Sequence, residues 1–156
     1  YKLKEFLSVY GERMKEDSLY LGYYLHLIQD IFYRRYMYSL PNWDARIWEN
    51  VMKLHSDYRK INRYIIETRG LENGISLPAD FADEDINLRF EFDAEGFLRE
   101  LEGDFTNISR GEYHFFTPEM ADEYLAIAIN ACRKELNAIR TGLPLLDEVE
   151  MAWGKE

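Results

Sequence analysis

Six apolar side chains between residues 44 and 68 recur at alternating steps of four and three residues, which is the spacing of one helical stripe. They are Ile47, Val51, Leu54, Tyr58, Ile61 and Ile65. The stripe predicts a long helix from about Asp44 to Thr68, and Gly70 directly after it is a natural stop. A chain that contains such a helix must cover its apolar face with other elements.

The other apolar patterns predict four further helices, over about 2–14, 18–38, 94–105 and 117–139. Asp17 or Ser18 can cap the second of these, and Thr117 followed by Pro118 is typical of a helix start. Residues 75–92 differ, because they contain Pro, several Asp and the alternating stretch "INLRFEF", which predicts an irregular or strand-like insertion. The sequence therefore predicts an all-α fold in which residues 1–156 form a single helical domain.

Composition excludes several classes of function. The formal net charge of -10 and the lack of a basic patch disfavour nucleic-acid binding. Arg34 and Arg35 interrupt the longest apolar run, so no transmembrane segment is expected. Cys132 is the single cysteine, which excludes an intramolecular disulfide and a Cys-rich zinc site. With no signal peptide pattern, a reducing, cytoplasmic location is expected.

The stretch from Tyr20 to Tyr38, "YLGYYLHLIQDIFYRRYMY", is apolar and aromatic almost all the way round, which predicts a buried helix. It nevertheless contains His26 and Asp30, four residues apart and therefore on one helical face. Gly22 lies one turn earlier on the same stripe and would allow close approach of a ligand or another backbone. An imidazole and a carboxylate on one face are suitable ligands for zinc or another transition metal.

A third ligand could come from His55 or Asp57 on the following helix. These two side chains point about 160° apart at roughly 100° per residue, so only one of them can serve, and geometry alone does not choose. Structural alternatives exist for the pair on the earlier helix: His26 can bond to Asp30, or Asp30 can pair with Arg34.

Three further features have a structural explanation. Asp57 can pair with Arg59 or with another surface base. His114, in a loop beside two phenylalanines, is expected to be structural. The acidic run "DFADED" at 80–85 is expected to be a solvated loop.

The quoted stretch resembles the GYxxHLxxD core of a bacterial family described as zinc-dependent phospholipase C-like proteins. The segment "HSDYRKINRYII" is similar to that family's downstream segment, and together the two motifs cover roughly residues 18–70. The resemblance implies an all-helical fold related to phospholipase C and the P1-type nucleases. It also implies zinc as cofactor, a phosphoester or phospholipid as substrate, and His26, Asp30 and Asp57 as metal ligands.

The family also has an upstream segment with further histidines and a Pro-Asp pair, which precedes the point where this sequence begins. Either that segment was removed or this member has lost the full site. Two hypotheses follow. The first is a zinc-dependent phosphoester hydrolase. The second is a non-catalytic helical module in which exposed aromatics such as Tyr33, Tyr36 and Trp43 form a partner or homo-oligomer surface.

Overall fold

A computed structural model describes residues 3–107 and 109–151 of the chain. In these ranges the chain forms seven α-helices and one 3-10 helix and contains no β-strand, which confirms the all-α class. The α-helices are α1 (Leu3–Tyr10), α2 (Arg13–Glu16), α3 (Ser18–Tyr38), α4 (Trp48–Arg69), α5 (Asp85–Arg89), α6 (Ala94–Thr106) and α7 (Pro118–Thr141). The 3-10 helix covers Phe81–Asp83.

The chain divides into two compact units. Unit 1 consists of residues 1–44 and 119–156, and unit 2 consists of residues 45–118. Unit 1 therefore contains α1 to α3 and nearly all of α7, whereas α4 to α6 belong to unit 2. The expectation of a single domain over the whole chain stays a prediction.

The core of unit 1 forms around α3, which begins at the cap that Asp17 provides by accepting from the Leu19 amide at 2.9 Å. Its buried face carries four residues at steps of four, four and three: Tyr20, Tyr24, Ile28 and Ile31. The ring of Phe6 on α1 lies 6.0 Å from that of Tyr24, and Tyr10 lies 5.1 Å from Tyr20. Aromatic packing between α1 and α3 thus forms one side of this core.

Helix α7 contributes small side chains and one buried carboxylate to unit 1. Ala121, Ala128, Ala131 and Ala138 are buried along it. Glu135 is also buried and accepts a hydrogen bond of 2.5 Å from the Tyr24 hydroxyl and bonds of 3.2 and 3.3 Å from the Leu146 amide. The carboxylate therefore joins α3, α7 and the segment after α7.

Two predicted helices differ from the observed ones, the first by a break within it and the second at its N-terminal end. The predicted helix over 2–14 is divided into α1 and α2 by a turn at residues 11–12. Glycine weakens a helix, and Gly11 is the first residue of this turn. Helix α4 begins at Trp48 rather than near Asp44, and its N-cap residue Ile47 provides no side-chain hydrogen bond. Its end is as predicted, because Gly70 adopts a left-handed conformation with φ of 61°.

The strand-like prediction for residues 86–92 is wrong, although the segment before it, residues 71–78, is irregular as expected. The residues of "INLRFEF" form α5 and the turn after it. Ile86 is buried, but Leu88 and Phe90 are each 63% exposed, so the alternation does not define a buried face. No strand lies within the described ranges to pair with it, and an isolated strand leaves its backbone groups unpaired.

None of the helices in the described ranges combines the length and the apolar character that crossing a bilayer requires.

Candidate functional site

The structure brings together His26 and Asp30 on α3 of unit 1. The distance between His26 Nε2 and Asp30 Oδ2 is 3.6 Å, which is ion-pair range but too long for a hydrogen bond. The side chain of His26 is 65% exposed and that of Asp30 is 34% exposed. The two groups are therefore neighbours on a face of α3 that solvent reaches.

This exposure corrects the expectation that the helix is buried all round. Tyr20, Tyr24 and Ile28 occupy the buried face, whereas His26 lies on the opposite, open side. The aromatic residues of α3 are partly amphipathic, since tyrosine can bury its ring and keep its hydroxyl at the surface. The pair is thus not a buried polar group that the core must satisfy.

Gly22, one turn before His26, is also exposed. A methyl group built on it would lie more than 4 Å from every described heavy atom outside the helix backbone and the adjacent residues. No described backbone approaches Gly22, so the space above this turn is open.

The spacing of the His26 and Asp30 ligand atoms suits a zinc ion. Two ligand atoms on a tetrahedral zinc, each at about 2.1 Å, lie about 3.4 Å apart. The observed 3.6 Å needs only a small side-chain rotation to match. Two ligands are nevertheless fewer than a stable protein site uses, and within residues 3–107 and 109–151 no three His, Cys, Asp or Glu side chains are grouped as a metal site.

Asp57, the third implied ligand, lies on α4 in unit 2 and is fully buried. Its carboxylate accepts hydrogen bonds from three consecutive backbone amides in the loop before α7. The amide of His114 lies 3.1 and 3.0 Å from its two oxygens, that of Phe115 lies 2.7 Å from Oδ2, and that of Phe116 lies 3.1 Å from Oδ2. Three amides directed at one carboxylate form a strong anion site within the chain itself.

Lys60 completes this arrangement. Its ammonium group lies 3.2 Å from Asp57 Oδ1 and donates to the carbonyl oxygen of Glu112 at 2.6 Å, and its side chain is only 7% exposed. Buried opposite charges that also satisfy each other's hydrogen-bonding capacity are stable together and costly to separate. We call Asp57, Lys60 and the backbone of residues 112–116 the loop anchor.

The loop anchor gives Asp57 a structural role whose partners are three backbone amides and the buried Lys60 rather than a surface base. A metal ion at Asp57 would compete with three amides and an ammonium group for the same two oxygens. A signal was present in the sequence: Asp57 and Lys60, three residues apart, lie between the buried Leu54 and Ile61 on the apolar stripe of α4. His55, the rejected alternative, is exposed and its ring is 5.8 Å from that of Tyr58.

A second feature that sequence reasoning missed is an open cleft between α4 and α6 in unit 2, with a volume of about 760 Å³. Helix α4 contributes His55, Tyr58, Arg59 and Asn62. Helix α6 contributes residues at the same helical spacing, including Gly96 and Gly103, which have no side chains to fill the space. Asn62 donates to Asp104 Oδ1 at 2.8 Å and links the two helices.

Burial perturbs several tyrosines of unit 1. Burial, reinforced by the hydrogen bond to Glu135, raises the pKa of Tyr24 far above its usual value. Burial and the hydrogen bond to Glu123 raise the pKa of Tyr36 to about 12. Burial alone raises the pKa of Tyr23. All three hydroxyls stay neutral at physiological pH, and those of Tyr24 and Tyr36 donate hydrogen bonds to Glu135 and Glu123.

Comparisons of this chain with family models, with curated proteins and with solved structures find no match.

Proposed function

We propose that the chain is a zinc-dependent phosphoester hydrolase of the phospholipase C-like kind, with His26 and Asp30 as its zinc ligands. The observation that carries the proposal is the 3.6 Å separation of His26 Nε2 and Asp30 Oδ2 on an open face of α3. These two residues are the His and Asp of the motif on which the family resemblance rests. The substrate class and the zinc-dependent activity come from that resemblance.

The chain's own residues would hold and present the ion. The i, i+4 spacing on α3 fixes both ligand atoms without any loop rearrangement. The exposure of His26 leaves room for a phosphoester to approach from solvent. A bound zinc ion supplies a water of lowered pKa and polarises a phosphoryl oxygen. Asp57 as a third ligand remains a prediction of the resemblance, and binding there would require the loop anchor to open.

The proposal is tested by hydrolysis of a chromogenic phosphodiester, bis(4-nitrophenyl) phosphate, by zinc-loaded protein. We expect turnover that a chelator abolishes, that His26→Ala and Asp30→Asn reduce at least a hundredfold, and that His114→Ala leaves unchanged. His114 is a suitable control because its backbone amide, not its exposed side chain, serves the loop anchor. Equal turnover in His26→Ala and wild type would contradict the assignment.

A second candidate is a non-catalytic helical module that associates with another copy of itself. The observation that favours it is the pair of apolar side chains Leu88 and Phe90 on α5 and the following turn, each 63% exposed. Tyr36, which was expected to contribute to such a surface, instead bonds to Glu123 at 2.7 Å, and Tyr33 packs edge-on against Tyr124 at 5.1 Å. Exposed apolar side chains mark an interface where they form one contiguous patch, so this candidate requires Leu88 and Phe90 to act together.

Sedimentation velocity over a range of protein concentrations tests this second candidate. Self-association predicts a shift to a dimer at higher concentration that the double substitution Leu88→Ser, Phe90→Ser abolishes. A concentration-independent monomer would contradict it. The two candidates are separable, because the first requires zinc and the second does not.

A further inference from the structure

The cleft between α4 and α6 is a feature of unit 2 that the proposed hydrolase does not use. Its volume of about 760 Å³ falls in the range of small-molecule sites. Residues 55, 58, 59 and 62 form one stripe of α4 that faces it, and residues 96, 99, 100 and 103 form a stripe of α6. Both walls therefore come from regular helices, which hold their side chains more firmly than loops do.

Most charged and amide groups of the cleft are already engaged. Arg99 lies 3.8 Å from Asp93 and 3.7 Å from Glu95. Asp104 accepts from Asn62. These contacts hold the side chains involved in place before a ligand binds.

Two lining groups of opposite charge remain. The guanidinium of Arg59 and the carboxylate of Glu100 make no ion pair or side-chain hydrogen bond within the described part of the chain. They belong to different walls, since Arg59 is on α4 and Glu100 is on α6. A ligand that carries one anionic and one cationic group could therefore engage both walls at once.

The cleft also offers an aromatic surface. The rings of His55 and Tyr58 lie 5.8 Å apart with an interplanar angle of 27°. Both residues line the cleft on the same wall as Arg59. An aromatic side chain on the ligand could pack against this pair while its charged end meets Arg59.

We propose that this cleft binds a small zwitterion of the amino-acid type that carries an aromatic side chain. Arg59 holds the carboxylate, Glu100 holds the ammonium group, and the rings of His55 and Tyr58 receive the side chain. The glycines of α6 provide the space. This inference does not depend on the zinc site, which belongs to unit 1.

Three probes with the same ring separate the contributions: L-phenylalanine, 2-phenylethylamine without the carboxylate, and 3-phenylpropionate without the ammonium group. Binding to the metal-free full chain is followed by amide chemical shifts in NMR titrations. We expect L-phenylalanine to bind at least tenfold more tightly than either analogue. The shifted amides should lie on α4 and α6.

Charge variants then assign each end of the ligand. Arg59→Ala should weaken L-phenylalanine at least tenfold and leave 2-phenylethylamine unchanged, whereas Glu100→Gln should weaken L-phenylalanine and leave 3-phenylpropionate unchanged. Arg110→Ala and Glu72→Gln are matched controls, because both residues are exposed in unit 2 and neither lines the cleft. The controls should bind as the wild type does.

A filled cleft provides an independent test that does not remove a charge. A Cβ atom at Gly103 would lie 3.2 Å from the amide nitrogen of Asn107, which is the flexible end of a side chain, so Gly103→Leu can be accommodated. At Gly96 the same atom would collide with Asp93, the N-cap of α6. We expect Gly103→Leu to fold, with unchanged helical circular dichroism, and to lose L-phenylalanine binding.

Three results would overturn the proposal. They are no shift with L-phenylalanine at tens of millimolar, an affinity for either single-charge analogue that equals the affinity for L-phenylalanine, or unchanged binding in both Arg59→Ala and Glu100→Gln.

Discussion

Asp57 and Asp30 show how burial decides what a carboxylate can do. Asp30 is one-third exposed beside an open imidazole and can accept a new partner at little cost. Asp57 is fully buried, and its oxygens already receive three amides and one ammonium group. The two residues are of the same type and both lie on helices, yet only Asp30 is in a position to exchange its contacts with water for a ligand.

The loop anchor makes a strong prediction for stability. Asp57→Ala removes the acceptor for three amides and leaves Lys60 as a buried, uncompensated charge, so the free energy of unfolding should fall by about 3–5 kcal/mol. Urea unfolding followed by circular dichroism measures this change. Glu67→Ala is the control, because it breaks an exposed ion pair with Arg63 on the same helix and should cost only about 0.5 kcal/mol. Similar losses in the two variants would contradict the loop anchor.

Two exposed glycines should respond in opposite directions to alanine. Gly22 lies inside α3 with open space around it, so Gly22→Ala should raise the free energy of unfolding by about 0.5–1 kcal/mol. Gly70 has φ of 61°, where alanine is strained, so Gly70→Ala should lower it by about 1 kcal/mol. Thermal unfolding of both variants measures these two opposite changes in stability. Destabilisation by Gly22→Ala would mean that α3 is not regular at this turn.

At the level of elements, tyrosine–carboxylate pairs join α3 to α7. Tyr24 donates to Glu135 at the buried end, and Tyr36 donates to Glu123 at 2.7 Å nearer the surface. The hydroxyl of Tyr124 on α7 donates in the opposite direction, to the Gln29 carbonyl of α3 at 3.1 Å. These bonds require protonated phenols, so the junction of the two helices depends on pH.

The pKa of Tyr36 determines the direction of that dependence. It is about 12 in the folded chain and 10.0 for an ordinary tyrosine, so between these values the unfolded chain loses a proton that the folded chain keeps. The stabilisation is complete below pH 10 and is lost as the pH rises through 12. Urea unfolding from pH 9 to 12 should show a steeper loss of stability in the wild type than in Tyr36→Phe. Parallel curves for the two proteins would rule out this contribution.

The elements also show what the sequence could and could not reveal. Periodicity predicted α3, α6 and α7 to within a few residues, and Gly70 predicted the end of α4, because these signals are local. The strand-like pattern at 86–92 was misleading because a strand requires a partner, and pairing is not local information. The His26 and Asp30 pair followed from helical geometry alone. The burial of Asp57 did not, because it depends on a loop nearly 60 residues further along the chain.

For the whole molecule, the exposure of one segment of unit 2 predicts where a protease cuts the chain first. Unit 1 is built from two separate stretches, and unit 2 is the continuous stretch between them. The segment from Gly70 to Ser76 has exposed residues throughout and no regular structure after α4 ends. It is therefore the described segment best suited to fit a protease active site.

Limited proteolysis tests this expectation. The glutamyl-specific protease Glu-C should cut first after Glu72, which is exposed in this segment, rather than after Glu123 or Glu135 within α7. Mass spectrometry of the earliest fragments identifies the site. An initial cut within α7 would indicate that this helix opens more readily than the segment after α4.

The zinc content of the protein is the most direct test of the proposed function. Protein purified without chelator and dialysed to equilibrium against buffer that contains free zinc should hold about one zinc ion per chain beyond the content of the buffer, by elemental analysis. His26→Ala and Asp30→Asn should lose that ion, and His114→Ala should retain it. A wild-type chain that retains no zinc, or a His26→Ala chain that retains as much as the wild type, would contradict the assignment of this pair as a metal site.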